Sequence, residues 1–196
     1  ELLQAIPGQT LTGVSRYGKM IGLHFDGGLT LIAHLMLTGR VGLYEGDRSD
    51  SDTAMLRLSF DDGQAFELVR VTARDIAVLP SDQLDDYAPV KKLGPDALEI
   101  TADEFAGNTL MTRGSVKDAL LDQKVVAGSG NAYADEILFE ARLNPFVKVK
   151  DAGEEGVEQV FRHIVPTLER AIEARAAGEY VFGLGKALGL SKKLDQ

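Results

Sequence analysis

The chain has 196 residues, 44% hydrophobic and 26% charged, the balance of a soluble globular protein with room for one large core or two smaller ones. With no cysteine it excludes disulfides and thiolate metal sites, its three scattered histidines (His24, His34, His163) make no metal cluster, and no apolar run nears the roughly 18 residues of a membrane helix. A formal net charge of −9 opposes nucleic-acid binding on average, but the acids gather at 45–52, 61–62, 82–86, 96–104 and 151–158, which leaves room for a local basic face.

In chain order, the opening Glu1-Leu2-Leu3-Gln4 has neither a basic segment nor an apolar signal core, so a cytoplasmic protein is expected. From about residue 9 to 79 the pattern is that of strands: 10–14, 20–25, then the hairpin signal Asp26-Gly27-Gly28 and a further strand at 29–35. Residues 55–60 alternate, Asp61-Asp62-Gly63 turns the chain, and 65–71 alternate again, which together predict an antiparallel sandwich or barrel. The polar run 45–52 reads as a solvated loop. Three prolines (Pro80, Pro89, Pro95) mark 80–95 as a linker. Beyond it the period becomes helical, with Thr101 as N-cap and Glu104 at the capping-box position, and a second capped helix from Ser115. Helix resumes at Asn131 and should stop at Pro145, and a last helix is expected from near Gly156 to Ala177, kinked at Pro166, with Val160, Ile164, Leu168 and Ile172 on one face. The tail 183–196, Gly-rich and basic, is expected to be loose.

The sharpest feature is the helix, double turn and helix at 115–143. Gly128 and Gly130 allow a tight reversal and leave backbone N–H groups unscreened beside the helix that begins near Asn131. Orphan N–H groups and the helix dipole make such an end a site for phosphate, with Asn131 as a further donor and Lys117 as a charge. The alternative is a plain helical hairpin whose glycines serve packing alone.

The run 116–138, Val-Lys-Asp-Ala-Leu-Leu-Asp-Gln through Gly128-Ser129-Gly130-Asn131 to Glu136-Ile137-Leu138, closely resembles the helix–two-turn–helix signature of the formamidopyrimidine-DNA glycosylase and endonuclease VIII family. Lys92-Leu93-Gly94-Pro95-Asp96-Ala97-Leu98 resembles the segment joining that family's two domains. Arg16-Tyr17-Gly18-Lys19 and His34-Leu35-Met36-Leu37-Thr38-Gly39 resemble its sheet-domain motifs, so the matches run in order from about residue 10 to 147. The resemblance implies an α+β fold, a partial N-terminal antiparallel β-sandwich (1–79) and linker (80–95) followed by an all-α domain (96–182) and the tail (183–196). It implies double-stranded DNA with a damaged base or abasic site as partner and work in the cytoplasm on the nucleoid, while the composition points to no cofactor, metal or membrane. Lys19 matches a lysine that contacts DNA near the lesion, and Lys117 and Asn131 match residues that grip phosphates beside the everted nucleotide. Leu37 stands where the family usually has a methionine that fills the gap left by the flipped base. His34, Arg74, Gly128 and Gly130 are expected with them among the DNA-binding residues, and plainer alternatives stay open: Lys19 a solvated strand lysine, His34 a satisfied buried histidine rather than a base, Leu37 a core residue. Glu136 is expected to support the double turn through its backbone.

The same resemblance marks departures. Family enzymes attack the sugar C1′ with a processed N-terminal proline, assisted by a neighbouring glutamate, and form a Schiff base. Glu1 falls well inside the family pattern, so the nucleophile, its glutamate, a first helix and one or more strands are expected to be missing. The segment 69–76 replaces an Asp-x-Arg-x-Phe-Gly motif that wedges the opposite strand, with Arg74 keeping part of that role, and the cysteines of the family's zinc finger are absent. A divergent actinobacterial branch is the nearest match to this pattern. Three readings follow: part of a glycosylase, a naturally truncated paralogue that binds damaged DNA, or a fold reused for protein contacts. A weak enzymatic route is also expected, with Lys19 as a surrogate amine for β-elimination at an abasic site, provided its pKa is depressed.

Overall fold

Apolar residues at alternate positions commit the first half of the chain to sheet, and the computed structural model describes residues 2–45 and 54–176 in full, with the backbone of 179–180 and 192–193. Strands β1 (Leu11–Tyr17), β2 (Met20–Phe25), β3 (Leu29–His34), β4 (Arg40–Glu45), β5 (Ala54–Ser59), β6 (Gln64–Val69) and β7 (Ile76–Pro80) form two antiparallel sheets, ordered β1-β2-β3-β7 and β4-β6-β5. Leu23, Phe25, Leu29, Leu31 and Ala33 from the first sheet and Phe66 and Leu68 from the second bury into one shared core, which makes the pair a sandwich. The predicted hairpin after β2 forms, with Gly28 at φ 73° and the Thr10 N–H held by Asp26 Oδ1 at 2.9 Å. On the outer face of the second sheet, buried Glu67 pairs across the strands with Arg57 at 3.0 Å.

Strands β4 and β7 lie outside the predicted set. Each is an edge strand, β4 with Val41 and Leu43 still exposed, β7 a short apolar run whose last residue, Pro80, pairs with Leu29 at the rim, where the missing N–H costs no ladder bond. Of the polar run 45–52, Glu45 ends β4 and the rest lies outside the described residues. The segment expected as linker folds back on itself: a 3-10 turn (Ser81–Gln83) and a short helix α1 (Ala88–Lys91) occupy it, with Leu84 buried and Lys91 paired to Asp86 at 2.8 Å.

The chain divides into two compact units, 1–91 and 92–196. The second holds α2 (Ala102–Leu110), α3 (Val116–Leu121), α4 (Asn131–Glu140) and α5 (Val149–Ala176) around a core that includes Phe105, Val116, Leu120, Ile137, Leu138, Val160 and Ile164. Thr101 and Glu104 close the expected capping box on α2. Helix α4 ends at Ala141, ahead of Pro145, because Arg142 turns left-handed (φ 51°) and the N–H groups of Arg142 and Leu143 bond back to Phe139 and Leu138, a Schellman closure. Helix α5 is two stretches joined across a break at Gly153 (φ 63°, ψ −170°), the longer starting close to the expected Gly156, and no break falls at Pro166. Glycine takes that conformation without a Cβ clash, whereas Pro166 lies within a helix whose dihedrals stay regular. Val160, Ile164 and Leu168 bury as predicted, but Ile172 is 54% exposed. The tail expected to be loose lies outside the described residues, apart from the backbone of 192–193, which pairs with 179–180.

Ser115 caps α3 through its hydroxyl and Asp118 reciprocates, its carboxylate accepting from the Ser115 N–H at 2.7 Å and hydroxyl at 2.8 Å. Ser115→Ala is expected to lower stability by about 1 kcal/mol in urea unfolding. Those hydrogen bonds, with smaller help from Lys148 and Lys117, hold Asp118 below its ordinary 3.8. A depressed carboxylate stabilises the fold above its unfolded value and loses that contribution as the pH falls through the folded one. Urea midpoints of the parent and of Asp118→Asn should therefore differ at neutral pH and converge as the pH falls below the ordinary aspartate value; curves that stay parallel into acid would remove this role from Asp118.

Candidate nucleic-acid interface

Within the sheet unit, four predicted residues gather at one end of the first sheet. Gly18 and Lys19 form the two-residue turn between β1 and β2; Gly18 supplies the positive φ (56°) such turns require, and Lys19 projects into solvent. The register Met20↔His34 and Ala33↔Ile76 brings the end of β3 beside this turn and beside the 3-10 turn Ala73–Asp75 that leads into β7. Lys19, His34 and Asp75 are thus neighbours, with Arg74 exposed in the same turn as Asp75. Asp75 is fixed by Thr72, whose N–H and hydroxyl reach its carboxylate at 2.8 and 2.7 Å, and these bonds hold it below the usual aspartate value.

Beyond β3 the chain reverses tightly. Met36 sits in the left-handed region at φ 52°, which costs a residue with a Cβ, and Gly39 donates to the Leu35 carbonyl at 2.8 Å. A Cβ on Gly39 would lie 2.3 Å from that oxygen, so the reversal needs glycine there. Arg40 Nη1 caps the carbonyls of Thr38 and Gly39 at 3.2 and 2.9 Å. At the tip, Leu37 is 94% exposed. The core alternative for Leu37 is thereby excluded.

His34 is half-buried. Its Nδ1 accepts the Met36 N–H at 2.9 Å, so the neutral ring carries its proton on Nε2. Desolvation first, then the Lys19 charge, pushes its pKa below the ordinary histidine value, with Asp75 opposing. Partial desolvation likewise lowers Lys19 from its ordinary 10.5, the direction an amine nucleophile needs.

Within the helical unit, α3, the double turn and α4 gather the other four, Lys117, Gly128, Gly130 and Asn131. Gly128 takes φ 103° and Gly130 is the N-cap of α4, so no N-cap side chain bonds the helix end. Asn131 is exposed on the first turn, and Asp135 lies one turn on along the same face. Lys117 reaches across from α3 to Asp135, 2.6 Å between Nζ and Oδ1, with 23% of its side chain exposed. The cation therefore sits on the face of α4 that carries Asn131.

Gln123 pins the turn. Its Nε2 donates to the carbonyls of Ser129 (2.9 Å) and Leu121 (3.1 Å), and its Oε1 accepts the Gly128 N–H (3.0 Å). This residue carries no signal in the sequence beyond an amide's place in a glycine-rich turn. Asp75 had a readable signal, the three-residue spacing from Thr72 that marks a capping box. From the other side, Pro95 and Ala97 bond to Ala127 at 2.8 Å each, and Gly94 approaches so closely that a Cβ would meet the Lys124 carbonyl oxygen. Among the described residues no helix is long and apolar enough to cross a membrane, and no group of three or more acidic or histidine side chains is placed to hold a metal.

Comparison with known proteins places these features in a family. The formamidopyrimidine-DNA glycosylase H2TH domain matches residues 93–182 and the N-terminal domain of the same enzymes matches residues 1–75. The formamidopyrimidine-DNA glycosylase of Halalkalibacterium halodurans is 32% identical over 198 residues, covering 97% of this chain and 71% of the relative. That of Bacillus licheniformis is 32% identical over 178 residues, covering 89% and 64%. A Lactococcus lactis Fpg solved in complex with abasic-site DNA superposes with a TM-score of 0.76 at 27% identity, covering 87% of this chain and 64% of that one. The chain thus spans 64–71% of the length of these relatives. With both halves matched in order and a sandwich followed by helices as the observed fold, the chain belongs to the formamidopyrimidine-DNA glycosylase family.

Proposed function

We propose that this chain binds double-stranded DNA at a damaged base or an abasic site, as a base-excision-repair protein of the cytoplasm acting on the nucleoid. Leu37 carries the reading. A leucine 94% exposed at the tip of a strained, glycine-dependent turn, with Lys19 and His34 at its base, has no packing role to explain it and suits the gap left by an everted nucleotide. Lys117, Asn131 and the start of α4, whose Gly130 cap brings no side chain, supply the phosphate grip. No cofactor is invoked. The family's solved complexes with abasic-site DNA support the same partner, and the divergent segment 69–76 supports a place in the actinobacterial branch.

Holding the lesion is the activity these residues support, and among them Lys19 offers an amine for strand cleavage. Its neutral amine would add to C1′ of the ring-opened abasic sugar and lose water, giving an imine. Loss of the C2′ proton then expels the 3′ phosphate, and hydrolysis returns the amine. Borohydride should trap this imine as a covalent adduct in the parent and not in Lys19→Ala; equal trapping in both removes Lys19 from the role.

Fluorescence anisotropy with a duplex bearing a stable abasic analogue, against the undamaged duplex at low and moderate salt, tests the reading as a whole. Tighter, salt-sensitive binding to the abasic duplex is expected. Equal binding to both duplexes would remove lesion recognition. No binding even at low salt would favour the protein-contact reading, which the exposed Phe139 and Phe146 at and beyond the end of α4 would then serve.

A further inference from the structure

We propose that His34 positions the turn that presents Leu37 and releases it on protonation, so that lesion recognition by this chain is switched off by acid. The inference rests on the reading of Leu37 as the residue that enters the gap. Its geometric ground is one hydrogen bond. The Met36 N–H donates to His34 Nδ1 at 2.9 Å, and a ring with a proton on Nδ1 has no lone pair there to accept it. Met36 holds φ 52°, a conformation that a residue with a Cβ keeps only when its surroundings fix it. Of the other ties, the Gly39 N–H reaches back across Leu37 to the Leu35 carbonyl, whereas the Arg40 guanidinium to Thr38 and Gly39 and the Thr38 hydroxyl to the Arg70 carbonyl lie on the far side of Leu37. Protonation therefore removes the side-chain acceptor that holds Met36, turns a donor toward a donor, and leaves the closing bond from Gly39 to Leu35 to carry the near side of the turn.

The charged groups bearing on the ring are Lys19 from the β1–β2 turn and Asp75 from the turn before β7; β2 itself places Met20 opposite His34. Desolvation and Lys19 outweigh Asp75, which keeps the ring neutral at neutral pH and sets the transition below the ordinary histidine value of about 6.5. Acid should otherwise strengthen DNA binding, since a chain of net charge −9 grows less negative as its carboxylates take up protons. Loss of preference for the lesion against that trend is the signature of the switch.

The test compares the ratio of affinities for abasic and undamaged duplex at about pH 7.5 and about pH 5, on either side of the histidine range, in the full chain, in His34→Asn and in Leu37→Ala. Asparagine can accept the N–H two residues on, as in an Asx turn, but does not titrate. The parent should prefer the abasic duplex at the higher pH and fall to the ratio of Leu37→Ala at the lower, while His34→Asn shows one ratio at both. A parent ratio that holds in acid, or a His34→Asn ratio that falls with the parent's, overturns the switch. The Met36 amide, followed by nitrogen-15 NMR in the free protein, reads the same step without DNA and should titrate together with the His34 ring. If it does so while no duplex preference exists at neutral pH, the switch stands and the lesion reading fails; an amide that ignores the His34 titration ends the proposal.

Discussion

Lys117→Ala should weaken binding to the abasic duplex by about tenfold, the loss of one charge-assisted phosphate contact, and should reduce the slope of log affinity against log salt by about one. Undamaged duplex should lose affinity by the same factor, because a phosphate grip carries no lesion information. Asp135→Asn is expected to act in the opposite direction. In the free protein the Lys117 ammonium rests on the Asp135 carboxylate at 2.6 Å, so an incoming phosphate must share or displace that partner and face its negative charge. The pair is partly exposed and itself worth less than about 1 kcal/mol. Its removal should therefore tighten binding without unfolding the helix. Titrations of both variants at three salt concentrations decide the matter. An unchanged affinity and slope in Lys117→Ala would mean that the α3–α4 face is scaffold, and weaker binding in Asp135→Asn would mean that the carboxylate orients the lysine rather than competing for it.

The second large effect belongs to a residue that need touch no ligand. Gln123→Ala takes partners from the Gly128 N–H and the carbonyls of Ser129 and Leu121 at one stroke. Ser129 is fully buried, so water does not readily replace the amide there. A loss of about 2–4 kcal/mol in urea unfolding is expected, from unmade hydrogen bonds at about 1–3 kcal/mol per buried group. Affinity for both duplexes should fall with it, since the turn aims the start of α4. Gln123→Glu separates geometry from mere volume. The carboxylate can still accept from Gly128 but faces two carbonyls it cannot donate to, which raises its folded pKa. A group of raised pKa favours the fold below that value and penalises it above, so this variant should regain stability as the pH drops toward about 4, where the acid donates again. A Gln123→Ala chain as stable as its parent would show that the turn is held by Gly94, Pro95 and Ala97 alone.

Much of the fold was legible because it is written in local terms. The capping pair Thr101 and Glu104, the Asp-Gly-Gly hairpin and the buried stripe Val160, Ile164 and Leu168 each need only a few neighbouring residues to be read, and each forms. The misses share a cause as well. Edge strands β4 and β7 take their order from partners far along the chain, β6 and β3, and their own patterns are weak. Pro145 looked like the stop of α4, yet the left-handed Arg142 ends it sooner through bonds to Phe139 and Leu138.

By itself the sequence determined the fold class, the family, and the identity of the cations and glycines of the candidate interface, because composition, period and motif are properties of the chain alone. Only the tertiary structure decided what those residues do to one another. The register between β2, β3 and β7 sets His34 between Lys19 and Asp75, and the tight reversal after β3 expels Leu37 into solvent instead of the core. The crossing of α3 and α4 gives Lys117 its carboxylate, and Gln123 finds its three backbone partners only once the double turn has closed. Charge, tautomer and exposure depend on distances between segments, and distances exist only when the chain has folded.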